Sequence, residues 1–118
     1  MKKTKLTLMA FAMALMAVAC KKEDNSPKPV AGFNITSNDT LNIDQEFSFT
    51  NTSTGATSYT WDFADGTTAT TVNATKTYAF DNPLLTNEFN TITIRLTARD
   101  DAGHTSVATK NIVVTTYL

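Results

Sequence analysis

Thr91-Ile92-Thr93-Ile94-Arg95-Leu96-Thr97-Ala98-Arg99 places an apolar side chain at every second position. Period two is the repeat of a β-strand, whose successive side chains point to opposite faces, so Ile92, Ile94, Leu96 and Ala98 face a core while the Thr and Arg side chains stay wet. A strand with one wet face suits an antiparallel sheet better than a parallel sheet covered on both sides. Downstream, Asp100-Asp101-Ala102-Gly103 turns the chain into a last strand within His104 to Thr116. There Val107 differs in parity from Ile112 and Val114, which predicts a β-bulge between them.

Upstream the same alternation recurs in shorter pieces. Ala31, Phe33 and Ile35 alternate with polar residues, Leu41 and Ile43 make a brief apolar pair, and Phe47 and Phe49 alternate with Ser48 and Thr50. Tyr59, Trp61 and Phe63 share one face, with Thr60 and Asp62 opposite, and Asp65-Gly66 follows as a turn dipeptide suited to positive φ. Thr67 to Thr77 divides into a short strand and a loop, Tyr78 and Phe80 point inward together, and Leu84 to Glu88 forms a longer loop. Short strands, frequent turn signals and no helical period beyond the N-terminus predict an all-β fold, an antiparallel β-sandwich over residues 30–118.

The N-terminus has a different grammar. Met1-Lys2-Lys3-Thr4-Lys5 is basic and Leu6 to Ala19 is apolar, the outline of a helical signal peptide. A span across a bilayer needs about 20 apolar residues, and this run ends at Cys20 and the charged Lys21-Lys22-Glu23-Asp24. Cys20 is the sole cysteine of the 118-residue chain, so neither an intrachain disulfide nor a multi-thiolate metal site is available. It is either a free thiol or an attachment point. Ala17-Val18-Ala19-Cys20 resembles the lipobox read by lipoprotein signal peptidase, with Ala17 where leucine is commoner. The resemblance implies cleavage before Cys20, a diacylglyceryl thioether on its sulfur and an acylated amine, with more than one chain for durable attachment.

Cleavage there removes Lys2, Lys3 and Lys5 and keeps every acidic residue, so seven basic groups face eleven acidic ones (7 − 11 = −4). Such a chain lacks the basic stripe that neutralises phosphates, and nucleic acid is not expected as a partner. Lys22, Glu23 and Asp24 resemble the surface-export signal of Bacteroidetes lipoproteins, which implies the outer leaflet of the outer membrane; a solvated spacer on the periplasmic face is the alternative. Residues 20–29 form the tether, with Asn25-Ser26-Pro27-Lys28-Pro29 as a short semi-rigid spacer.

Tyr59-Thr60-Trp61-Asp62-Phe63-Ala64-Asp65-Gly66 resembles the Trp-Asp-Phe-Gly-Asp-Gly segment of PKD domains, which are immunoglobulin-like modules. Phe47 to Ser53 resembles the strand before that segment, Thr77-Tyr78 the tyrosine after it, and Ile92 to Asp101 with Gly103 the long strand and turn near the end. The resemblance spans about Pro29 to Thr116. Ala64 stands where glycine is usual, which suggests a backbone that does not require glycine there, and Leu84 to Glu88 lengthens a stretch usually closed by a short turn. The family implies a spacer, an adhesion role or contact with a protein or glycan, and no catalysis.

The reactive residues fit that picture. His104 follows a turn glycine, where an exposed polar residue is the default, and a lone histidine is no catalytic set. Asp62 and Asp65 suit backbone N–H acceptance beside a tight turn. Calcium, which some PKD modules bind, makes Asp62, Asp65, Asp100 and Asp101 candidate oxygen donors, but no loop has the alternating acids of a dedicated site, so neither metal nor other cofactor is expected. Asp39-Thr40-Leu41 resembles the Bacteroidetes O-glycosylation site, which makes Thr40, in an expected exposed turn, a candidate glycan carrier. Two functions follow from sequence: a surface-displayed module that binds or adheres to a glycan or protein, and a structural accessory docking onto a larger envelope assembly.

Overall fold

The structure, a computed structural model, describes residues 27–116. The expected signal peptide, the expected lipidation at Cys20 and the Lys22, Glu23, Asp24 triplet lie outside the described residues. Eight strands run in chain order: β1 Phe33–Ile35, β2 Thr40–Asn42, β3 Glu46–Asn51, β4 Ser58–Asp62, β5 Thr68–Ala69, β6 Ala74–Thr77, β7 Phe89–Arg99 and β8 Thr105–Thr115. They form a three-stranded sheet, β1-β3-β6, and a five-stranded sheet, β2-β8-β7-β4-β5.

Alternation determines which side chains meet between the sheets. Phe33, Phe47 and Phe49 from the smaller sheet face Trp61, Ile92, Ile94, Leu96, Ile112 and Val114 from the larger one, and all are buried. The sheets lock through aromatic contacts, with the Phe33 and Trp61 ring centroids 5.1 Å apart at 73° and those of Phe49 and Phe63 6.3 Å apart. The Phe33–Trp61 pair is edge-to-face, an arrangement that adds roughly 0.5–1.5 kcal/mol beyond its buried area.

Every pair but one is antiparallel. β2 leaves the smaller sheet's side and pairs in parallel with β8, in the register Leu41↔Val114, so the larger sheet is mixed. This brief excursion sends Leu41 and Ile43 into the core from the sheet's edge.

Two expectations are corrected. No bulge interrupts β8: the β7–β8 ladder runs unbroken from Phe89↔Thr115 to Arg99↔Thr105. Val107 lies opposite Thr97 on the outer face and is 45% exposed. An exposed valine costs little beside the ladder bonds that a bulge would disrupt. Phe80 does not join Tyr78 in the core but is 66% exposed. β6 stops at Thr77, and the turn that closes with Asn82 N–H donating to the Ala79 carbonyl at 3.0 Å ends the alternation before Phe80 can use it.

Candidate functional site

The Trp61–Tyr78 region is a polar knot set against the core. At the β4–β5 hairpin the Asp62 carboxylate accepts the Ala64 N–H at 2.9 Å, an Asx turn that lifts the chain out of β4. Ala64 then takes φ 67° and Gly66 φ 86°. The left-handed region disfavours a Cβ by roughly 1–2 kcal/mol, so position 64 does not require glycine but holds Ala64 at a cost. Ala64→Gly is accordingly expected to raise stability by about 0.5–1 kcal/mol, the relief of that strain less the extra freedom of glycine in the unfolded chain. Urea unfolding checks it, and an unchanged or lower midpoint would refute the strain.

Asp65 is the centre of the knot. Its side chain is 4% exposed and lies 2.7 Å from the Lys76 ammonium. It also accepts from the Thr67 N–H at 3.1 Å and the Asn82 amide at 3.0 Å. Burial pushes this carboxyl up, but the hydrogen bonds from Lys76, Thr67 and Asn82 outweigh it and hold the pKa at about 2. Lys76 also sits over the rings of Phe63 and Tyr78, 5.4 Å and 5.1 Å from their centroids. The Tyr78 hydroxyl donates to the Phe63 carbonyl at 2.8 Å, and burial, with the nearby charges of Asp65 and Asp62, pushes its pKa up strongly. Sequence reasoning singled out Asp65 and Tyr78 but missed Lys76 and Asn82. For Lys76 a signal was present, since it shares parity with the inward-facing Ala74 and Tyr78.

Asp100 and Asp101 are at the other end of β4. Asp62 pairs across from Arg95, whereas Ser58 pairs with Arg99, which immediately precedes them. The four candidate donors therefore form two separate groups, and among the described residues no three His, Cys, Asp or Glu side chains converge to hold a metal ion. Asp101 accepts from the Thr57 hydroxyl at 2.9 Å. Asp100 accepts the His104 N–H at 2.9 Å and meets His104 Nδ1 at 2.8 Å, so this histidine is half-buried and closes the β7–β8 turn rather than standing exposed. Thr40 is exposed as expected, but it opens edge strand β2 rather than sitting in a turn.

A third feature lies in the lengthened segment. Phe80, Leu85, Thr86, Asn87, Glu88 and Thr116 line a shallow cleft of about 430 Å³. Buried Asn90 holds its floor, accepting from the Asn87 N–H at 2.9 Å and donating to the Asn87 and Val114 carbonyls. Thr116 N–H donates to the Glu88 carbonyl at 3.0 Å, and Asn82 accepts the Leu84 N–H at 3.1 Å. The segment is thus pinned to β8 and to the Asp65 knot. Asn90 escaped sequence reasoning, although it has the same parity as Ile92 and Ile94.

No curated protein sequence matches the chain. Among solved structures, the PKD1 domain of the Vibrio cholerae metalloprotease PrtV is 26% identical with a TM-score of 0.57, over 76% of this chain and all of that one. The PKD1 domain of Vibrio anguillarum Epp is 24% identical with a TM-score of 0.59, over 79% of this chain and all of that one. A chain described in terms of the promiscuous specificity of carbohydrate-binding modules of the β-sandwich superfamily is 25% identical with a TM-score of 0.64; the match covers 79% of this chain and 36% of that one. The PKD domain family profile matches residues 24–116. With the Trp61–Gly66 segment folded into the hairpin, its tyrosine bonded back to Phe63 and two sheets closed over one aromatic core, this chain belongs to the PKD domain family.

Proposed function

We propose that this chain is a lipid-anchored protein of the cell envelope that displays its PKD domain as a non-catalytic module for binding or adhesion to a glycan or a protein. One observation carries the modular part: the polar groups of the Trp61–Gly66 segment are engaged internally, with Asp62 on Ala64 and Asp65 on Thr67, Lys76 and Asn82. They serve as fasteners, which leaves the outer sheet faces and the loop ends for recognition. PKD domains are generally non-catalytic, and the likeness to a chain described with carbohydrate-binding modules favours a glycan among the ligand classes.

The anchor rests on sequence. The basic start, the apolar run and Ala17-Val18-Ala19-Cys20 argue for lipid on Cys20, and Lys22, Glu23 and Asp24 argue for the outer face of the outer membrane. Exposed Thr40 is open to O-glycosylation in the native host, which intact mass would register beyond the lipid. The test is fractionation and capture. The full chain should partition with membranes and be clipped by protease on intact cells, and Cys20→Ser should move it to the soluble fraction. A glycan array probed with the lipidated chain then tests the module. Retention of Cys20→Ser in membranes would remove the anchor. Recovery of a stoichiometric envelope complex with no glycan bound would favour the accessory-subunit reading.

A further inference from the structure

We infer that the cleft between Phe80 and the Thr86–Glu88 segment is a subsite for a neutral pyranose residue of a polysaccharide. The inference deepens the binding-module reading and rests on it. A pyranose presents a C–H face and a rim of hydroxyls that both donate and accept. It therefore needs an apolar platform beside groups of both kinds. Phe80 is 66% exposed and lines the cleft together with Thr86, Asn87 and Glu88, whose side chains carry a hydroxyl, an amide and a carboxylate. Exposed Asn87 donates its side-chain N–H to the Thr86 hydroxyl at 3.3 Å, which leaves the amide oxygen to accept from a ligand.

The backbone beneath is already ordered. Asn90 bonds both the N–H and the C=O of Asn87, the Thr116 hydroxyl donates to that same carbonyl at 3.2 Å, and Leu85 N–H donates to the Asn82 carbonyl at 3.0 Å. A ligand meeting a pre-shaped loop does not have to order it, which favours the weak polar contacts typical of sugars. Charge selects among them. Glu88 in the cleft and exposed Asp81 beside Phe80 disfavour uronic and sulfated sugars.

The test is calorimetric titration of the full chain in detergent with laminarin, xylan, mannan and galactan, and polygalacturonate as the anionic control. At least one neutral polymer should bind and polygalacturonate should not. Phe80→Ala should weaken that binding tenfold or more and Asn87→Ala several-fold, while Phe80→Tyr, which keeps the ring, retains it. Melting temperature should not move in any of the three, since none removes a buried side chain. Binding that Phe80→Ala and Asn87→Ala leave intact would overturn this site while the binding module stands. Failure of every neutral polymer to bind, or preference for polygalacturonate, would overturn the neutral-sugar subsite, and protein capture would then decide the module's role.

Discussion

Trp61→Ala should destabilise the domain by about 3–5 kcal/mol, the range for removing a fully buried aromatic side chain. Trp61 is 0% exposed and joins the two sheets, with its ring 5.1 Å from Phe33 and 5.8 Å from Phe49. Its indole N–H donates to the Thr71 carbonyl at 2.9 Å, which also fastens the β5–β6 connection. Alanine would leave a void that strands already paired on both sides cannot close, because β4 is held between β5 and β7. A loss of this size is a large part of the roughly 5–15 kcal/mol that keeps a domain folded, so the melting temperature should fall by well over 10 °C. Val107→Ala, on the wet face, should stay within about 0.5 kcal/mol. A Trp61→Ala loss below about 1 kcal/mol in urea would sink the claim that this ring is the central joint.

Removing the charge at Asp65 should cost about 3 kcal/mol at neutral pH, because Asp65→Asn strands the Lys76 ammonium in a site with little water. The same group sets an acid limit. Its folded pKa of about 2 lies below the 3.8 of an aspartate in an unfolded chain, so the unfolded chain takes up the proton first as pH falls. The stabilisation is whole above about pH 5 and drains away toward pH 2, a loss of roughly 2 kcal/mol. Unfolding measured from pH 7 to 2 should show this slope in the native chain and a shallower one in Asp65→Asn. Asp65→Asn combined with Lys76→Met should recover part of the neutral-pH loss, since no buried charge is then left alone. Equal slopes in native and Asp65→Asn protein would show that Asp65 is not the titrating group.

Much of the fold was legible in the chain because a sandwich is written in alternation. Phe47 and Phe49, Trp61 and Phe63, and Ile92 to Ala98 had to share a dry side whatever their partners. Asp65-Gly66 declared its turn because glycine's freedom at positive φ is local chemistry. These readings need only neighbours one to three residues away.

What the chain could not declare are facts about neighbours distant in sequence and close in space. Val107 breaks parity with Ile112 and reads as a bulge, yet the unbroken ladder to β7 decided that it faces water. The parallel pairing of β2 with β8 depends on which sheet edge was vacant. Lys76 becomes the partner of Asp65 only because the β3–β6 pairing carries it to the open end of the core beside the β4–β5 hairpin. Phe80 shares parity with Tyr78 but lies beyond the end of β6, so a turn and not a pattern put it beside Thr86, Asn87 and Glu88. Local geometry follows from each residue's own steric and hydrogen-bonding limits, whereas pairing and site assembly follow from which surfaces close over one another once the strands have formed.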